Sequence, residues 1–362
     1  MESLVNDAFW RGRRVFVTGH TGFKGAWLVL WLSQMGARVT GFSLPAEAVS
    51  LFRQAGIEDL VTHTEGDIRD LAAVETAMAA ADPQVVFHLA AQPLVRLSYQ
   101  QPVETFATNV QGTVHVLDAC RRAPSLRSVV CITTDKCYDN REWVWPYRES
   151  DPMGGRDPYS GSKGAAELVI AAYRSSYFQG ATKVASVRAG NVIGGGDWAA
   201  DRLVPDIVRA LIEQRRLVIR SPKSIRPWQH VLEALGGYLI LAQHLAEGAE
   251  WAATAWNFGP SDDDARPVDW IVERMISLWG SGGWDRAEGP QPHEANILKL
   301  DCSKARAELG WRPVLGLDGA IDWIVQWHKT VAQGDDARAE TVDQLTRYRA
   351  LLRQFPPGTA NV

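Results

Sequence analysis

Several things are missing from this 362-residue sequence, and each absence removes a class of function. No run approaches the roughly 18 apolar residues that a membrane-spanning helix needs. The opening stretch, Met1-Glu2-Ser3-Leu4-Val5-Asn6-Asp7, has neither the basic start nor the apolar core of a signal peptide. The expectation is a cytoplasmic protein without a membrane partner. Cysteine is scarce: Cys120, Cys131, Cys137 and Cys302 form no CxxC pair and no other metal-ligand spacing. No metal site is expected, and the thiols read as free groups in a reducing compartment. There is no long block of one charge sign. A formal charge of −4 and a pI near 6.1 argue against nucleic acid as a partner. Internal repeats and low-complexity tracts are absent too.

What is present is enough apolar residue (46 %) for a large core, with fifteen tryptophans to help fill it. Arg13–Gly19 reads as a short buried strand that runs into Gly19-His20-Thr21-Gly22-Phe23-Lys24-Gly25 and then the apolar helix Ala26-Trp27-Leu28-Val29-Leu30-Trp31-Leu32. Strand, glycine turn and helix are the context in which such glycines hold a dinucleotide. Gly19 permits the tight turn, Gly22 lets the backbone approach a pyrophosphate, and Gly25 lets helix and strand pack closely. The helix N-terminus offers free N–H groups to the phosphates. Arg38–Leu44 is the second strand. Ser43 stands where an acid would hold the ribose hydroxyls of NAD, so NAD and NADP both stay open, with Lys24 or a nearby Arg able to meet a 2′-phosphate. Val61–Ile68 is the third strand with its turn. Asp67 beside Ile68 is placed either to accept from an adenine amino group or to cap the helix near Asp70.

Val85–Ala91 is a fourth strand ending in Leu89, Ala90 and Ala91, small enough at its end for a flat cofactor to lie against the backbone. His88 inside this apolar run reads as a satisfied core histidine. A long helix is expected from Val103 to Arg122 with Asn109 inside it. Ser128–Thr134 is the fifth strand and delivers Thr134-Asp135-Lys136 at its carboxyl end, the edge where parallel sheets bind ligands. Lys183–Arg188 is the sixth. Strands alternating with helices imply an α/β fold, a Rossmann-type doubly wound parallel sheet. Beyond 190 the chain becomes rich in Gly, Pro and Trp, as in Ser221–His230, and reads as loops of a smaller, loop-rich C-terminal substrate lobe. The expected division is a dinucleotide-binding domain over 1–190, with 232–260 returning to it through a strand at Ala255–Gly259. A substrate lobe takes 191–231 and 261–335, with helices at Asp269–Trp279, Ser303–Leu309 and Leu317–Lys329. The tail, 336–362, is expected to be loosely attached apart from a helix near Leu345–Leu352.

Tyr159 and Lys163 lie four apart at the start of an apolar-periodic helix, so they share one face. A cation beside a phenol favours the phenolate and lowers its pKa from about 10, which makes Tyr159 a candidate general base.

Together the Gly19-Gly22-Gly25 turn, His88-Leu89-Ala90-Ala91 and the Tyr159/Lys163 pair resemble the extended short-chain dehydrogenase/reductases. Within that superfamily Thr133–Tyr138, Arg188–Trp198 and Arg226–Val231 are similar to the CDP-glucose 4,6-dehydratases, and the likeness covers the chain up to about Gly334. The fifth strand ends in Asp135-Lys136, where other nucleotide-sugar dehydratases carry Asp-Glu. This resemblance implies a hydro-lyase of deoxysugar biosynthesis acting on a nucleotide sugar, CDP-glucose, with tightly held and recycled NAD. Tyr159, Lys163 and Thr134 would oxidise C4, and Asp135 and Lys136 would serve the elimination across C5 and C6. Two divisions of labour are open: neutral Lys136 as base, its pKa depressed by burial, or Asp135 as the proton-transferring group with Lys136 as enolate stabiliser. The resemblance places Asn191 near the pyrophosphate or sugar. Arg202, Arg220 and Arg226 are candidates for the phosphates, and Asp197, Trp198 and His230 for the base or sugar pocket. It also implies a homodimer or higher assembly through the helices Val103–Arg122 and Ser160–Ser176. A nucleotide-sugar 4-epimerase would share the Tyr159/Lys163 oxidation but needs no proton pair for C5 and C6, so Asp135-Lys136 argues against it. A non-catalytic dinucleotide-sensing regulator commonly lacks the Tyr or the Lys.

Overall fold

The computed structural model describes residues 4–288 and 298–354. Parallel strands covered on both faces need near-continuous apolar runs. The chain supplies buried runs at β1 (Arg14–Thr18), β2 (Arg38–Ser43), β4 (Val85–His88), β5 (Ser128–Ile132), β6 (Lys183–Ala189) and β7 (Ala255–Phe258), while the polar, partly exposed β3 (Thr62–Glu65) forms an edge. They form one all-parallel sheet in the order β7-β6-β5-β4-β1-β2-β3. The order reverses between β1 and β4, and the carboxyl ends of these strands open the crevice that such sheets offer a ligand.

Alternation along each strand divides the core. Val15, Val17, Val85, Phe87, Val130 and Val187 face α1 (Phe23–Gln34). Phe16, Val86, Val129, Cys131 and Val184 face the opposite layer, built from α2 (Leu71–Ala81), α3 (Gly112–Arg121) and α4 (Pro158–Tyr177). From Gly25 to Leu32 α1 is buried on every side. A helix apolar all round must be covered twice. The sheet covers one side, and α5 (Val231–Ala246) with the C-terminal helix Ala337–Gln354 covers the other, where Trp31 and Tyr348 meet edge to face. A separate apolar core forms around Ile193, Ile219 and Trp228 under the helices Leu203–Ile212, Val268–Trp279 and Leu317–Ala332.

Three expectations need correction. The Gly-, Pro- and Trp-rich stretch is not all loop: Ile225–His230 is the central strand of a small sheet, between Asn191–Ile193 and Ala265–Pro267. The helix expected over Val103–Arg122 is interrupted by a π turn at Ala107–Gln111, which carries Asn109. The helix expected near Leu345–Leu352 is there but begins earlier, at Ala337, and the residues before Leu345 are held too: Arg338 donates to Ala55 O at 2.6 Å and Thr341 accepts from Trp327 Nε1 at 2.9 Å. The last residues, 355–362, lie outside the described residues.

Glu233 fastens that C-terminal helix. Buried in the first turn of α5, it accepts from Val314 N (2.9 Å) and Leu315 N (2.7 Å) through Oε1, and from the Tyr348 hydroxyl (2.9 Å) through Oε2. Burial is the main cause that pushes its carboxyl up to about 7. The folded chain therefore holds a proton that the unfolded chain releases near 4.5, so this stability is lost as pH rises from about 4.5 through 7. Urea unfolding at pH 5.5 and pH 8 is expected to give a lower stability at pH 8. Glu233→Gln should remove on the order of 2 kcal/mol of that difference.

Candidate active site

The glycine turn is built by close contact. Gly19 has φ +74°, and a Cβ there would lie 2.7 Å from Ala90 N; one on Gly25 would lie 2.2 Å from Gly19 O. Both glycines are demanded by the protein's own packing. Gly22 is different: it is exposed, and a Cβ on it would meet nothing closer than Gly19 O at 3.4 Å. No side chain caps α1, so its first N–H groups and the positive end of its dipole stay open to an anion. This cradle fits a dinucleotide diphosphate. Thr21 Oγ1 closes the turn on Ser43 Oγ (2.7 Å) and donates to Leu44 O (3.1 Å).

Around the turn, His20 does not face the cradle with its side chain. It is buried under Gly41 and Phe52, with Nε2 2.7 Å from His63 Nδ1, and burial with the neighbouring His63 draws it down to about 4. Asp67 is half-buried and holds Arg69 at 2.6 Å, while Asp70 caps α2. Ile68 packs on Gly112. Asn109 accepts from Gln92 N (2.8 Å) and donates to Ser162 Oγ (2.9 Å), so the π turn ties the segment after β4 to α4. His88 is a core histidine: Nδ1 contacts Thr18 Oγ1 at 2.7 Å and Nε2 contacts Thr113 Oγ1 at 3.1 Å.

Asp157 caps α4 and Pro158 opens it, which starts the helix so that Tyr159 and Lys163 face the end of β5. Ser98 Oγ accepts from Tyr159 N at 3.1 Å. Thr134 donates to Asp135 Oδ1 at 3.0 Å. The expected lowering of the Tyr159 phenol is not found: burial pushes it up to about 12, Thr134 acts against that, and the Asp135 carboxyl adds to it. Lys163 is drawn down to about 8 by burial and donates to Ile132 O at 3.4 Å. Burial also raises Asp135, opposed by Lys136, Thr134, Arg226 and Lys24. Lys136 is exposed, so the burial invoked to make it a neutral base is absent.

Arg202 binds Asp197 at 2.9 Å, and its charge reaches Tyr159; Arg226 acts on Asp135. Asn191 opens its short strand opposite Trp228, half-buried, and Arg220 follows the strand Leu217–Ile219. One further expectation fails: His230 is sealed between Trp27 and Trp323 as the N-cap of α5, and burial pulls it down to about 3. Trp198, half-buried, bonds Gln54 Oε1 (2.8 Å) and packs on His328. Lys24, expected beside a 2′-phosphate, stands among Arg202, Lys163, Asp135 and Asp197.

One residue of this centre is absent from the motifs read in the sequence. Glu167 continues the four-residue spacing of Tyr159 and Lys163, which is the signal that could have found it. It accepts from Thr133, Ser186 (2.8 Å) and Arg188 (2.8 Å), and these outweigh the burial that would raise its carboxyl.

The chain is 55% identical over 342 residues to the CDP-glucose 4,6-dehydratase of Salmonella typhimurium, covering 92% of this chain and 95% of that protein. It is 30% identical to the dTDP-glucose 4,6-dehydratase of Streptomyces antibioticus, covering 85% and 91%. The fold is similar to the dTDP-glucose 4,6-dehydratase of Bacillus anthracis solved in complex with NAD (TM-score 0.76, 21% identity, 89% and 98% covered). A family model spanning residues 15–259 matches as well, and with it the chain belongs to the NAD dependent epimerase/dehydratase family.

Proposed function

We propose that this protein is a CDP-glucose 4,6-dehydratase that converts CDP-glucose to CDP-4-dehydro-6-deoxyglucose and water, with NAD as its recycled cofactor. The observation that carries this reading is the 55% identity to a CDP-glucose 4,6-dehydratase along nearly the full length of both chains. The cradle of Gly19, Gly22 and Gly25 would hold the cofactor diphosphate, with Leu89, Ala90 and Ala91 against its flat parts. When bound, NAD supplies a hydride acceptor that is also a cation, taking hydrogen from C4 and returning it to C6. Tyr159 takes the proton of the sugar 4-hydroxyl, assisted by Thr134 and Lys163. With Lys163 in place the phenol stands at about 12, so a further cation, the bound nicotinamide, would be needed to bring it toward the range in which it can act as a base.

With C4 oxidised, loss of the C5 proton leaves an enolate, so that proton becomes acidic. Asp135 is the better-placed proton carrier: burial has raised it toward neutrality, whereas Lys136 is exposed and cationic partners surround the carboxyl. Asp135 takes the C5 proton and gives it to the departing 6-hydroxyl, while the Lys136 ammonium stabilises the enolate. Asp135 then takes a proton from solvent and delivers it to C5. Arg202 and Arg226 bind the substrate diphosphate, and Asn191 and Asp197 help to hold the sugar. On this reading residues 1–190 and 232–260 hold the cofactor, and 191–231 with 261–335 hold the nucleotide sugar. The helices carrying Tyr99, Val103, Phe106, Leu168 and Tyr177, all exposed, form a homodimer interface, and the enzyme works in the cytoplasm.

Incubation with CDP-glucose, UDP-glucose and dTDP-glucose in deuterated water tests the reading. A 4-keto-6-deoxy product from CDP-glucose alone, with deuterium at C5, is expected; a 4-epimer without exchange at C5 contradicts it. The cradle has its own test. Gly22→Ala should keep the thermal midpoint of the parent while NAD affinity, read by calorimetry, falls by about an order of magnitude or more, because only a ligand needs that position bare.

A further inference from the structure

A second cleft, of about 680 Å³, opens beside the buried pair of Glu167 and Arg188, and none of Thr134, Asp135, Tyr159 and Lys163 lines it. One wall is α4, where Glu167, Ala171 and Arg174 follow one another at helical spacing. Arg188 of β6, the start of β7 and Lys304 of the short helix Ser303–Glu308 supply much of the rest. Arg174 is half-buried, and its Nη1 is closed off from solvent. Among the described residues its side chain has neither a hydrogen bond nor an ion pair. Arg188 is 4 % exposed. Its Nη1 and Nη2 reach the Tyr138 hydroxyl, Glu149 O and Glu167, but its Nε has no partner among the described residues. Lys304 donates to Ala255 O at 2.9 Å and lies over the Trp256 ring, with no carboxylate at ion-pair distance among the described residues.

The acids of the cleft are already engaged. Glu167 accepts from Thr133, Ser186 and Arg188, and Glu149 accepts from Asn257 N at 2.9 Å. Asp151 accepts from Arg148 N at 2.8 Å, and Asp301 from Ser303 N at 2.8 Å and Arg148 Nε at 3.4 Å. Arg174 and Lys304 therefore face the cleft without a counter-charge bound to either.

We propose that this cleft is a binding site for an oxyanion of the phosphate class, held by Arg174, Lys304 and the Nε of Arg188. A guanidinium taken partly out of water without a partner weighs against the folded state, so the site stores a demand that a bound anion would meet. A guanidinium fork with an ammonium beside it matches the oxygens of a phosphate. The volume leaves room for a larger group carried on that phosphate. An anion on Arg188 Nε would also complete the donor set that joins β6 to α4, so binding here would brace the helix of Tyr159 and Lys163.

Calorimetric titration of the full chain in phosphate-free buffer tests the site, with inorganic phosphate and CMP as probes. One saturable phosphate site per chain is expected, and Arg174→Met should weaken it about tenfold or more. Arg226→Met, a change beside Asp135, should leave it within about twofold. Phosphate should raise the thermal midpoint of the parent. Without phosphate, Arg174→Met should melt no lower than the parent, because it loses only an unpaired cation, and phosphate should no longer raise it. Arg174→Gln serves in place of Arg174→Met should the latter not fold. For CMP, the binding that the Arg174 variant removes is compared with that of phosphate: equal affinity assigns the site to the free anion, and tighter binding assigns it to a nucleotide. Phosphate affinity unchanged in the folded variant, or no saturable binding by the parent, overturns the proposal. So does a variant that melts lower without phosphate and disperses to monomers, which would mean that Arg174 pairs with a second copy of the chain. No readout requires turnover, so these outcomes stand apart from the fate of CDP-glucose.

Discussion

A carboxylate and a guanidinium buried together hold α4, the helix of Tyr159 and Lys163, against the sheet. Arg188 of β6 meets Glu167 of α4 at 2.8 Å and also donates to the Tyr138 hydroxyl at 2.7 Å, which in turn donates to Asn257 of β7 at 2.7 Å. Glu167 takes its remaining bonds from Thr133 and Ser186. Two charges taken out of water depend on such partners; here Arg188 Nε alone is left without one among the described residues, and removing one member of the pair costs about 3–5 kcal/mol. The same network joins α4, which carries Tyr159 and Lys163, to β6 and to Thr133, the neighbour of Thr134 beyond β5. Under the proposed reading, stability and the placing of the reacting groups then depend on one set of bonds.

Desolvation then works on the groups so assembled. It raises the Tyr159 phenol and the Asp135 carboxyl and lowers the Lys163 and Lys24 ammonium groups. In each case the charged form is disfavoured, which brings the carboxyl and the two amines closer to neutrality, where proton transfer in both directions is fastest. Tyr159 is the exception, pushed away from the working range. Under the proposed reading its use as a base would need a further cation in the cleft, which the nicotinamide of bound NAD would supply.

Much of this was legible in the sequence because backbone and spacing carry it. Strand, glycine turn and helix, and the four-residue step from Tyr159 to Lys163, state their own geometry. Side-chain direction was less legible. His20 and His230 sit within the glycine turn and the Arg226–Val231 stretch, both expected from the sequence to meet ligands, yet both rings turn inward onto aromatic neighbours, and nothing in a linear pattern gives that orientation. Burial of Asp135 suggests burial of Lys136 beside it, but successive side chains after a strand end point to different sides. Of the C-terminal helix only the stretch near Leu345–Leu352 was legible, because charged residues dominate the composition of the turns before it.

The central claim is that one site removes hydrogen at C4 and restores it at C6 around a proton transfer at C5. The most direct measurement uses CDP-glucose carrying deuterium at C4, turned over in ordinary water. The account predicts a 4-keto-6-deoxy product that retains the label at C6 within the same molecule, as shown by crossover with unlabelled substrate. Label returned to C4 of an epimer, or lost from the product, would contradict it.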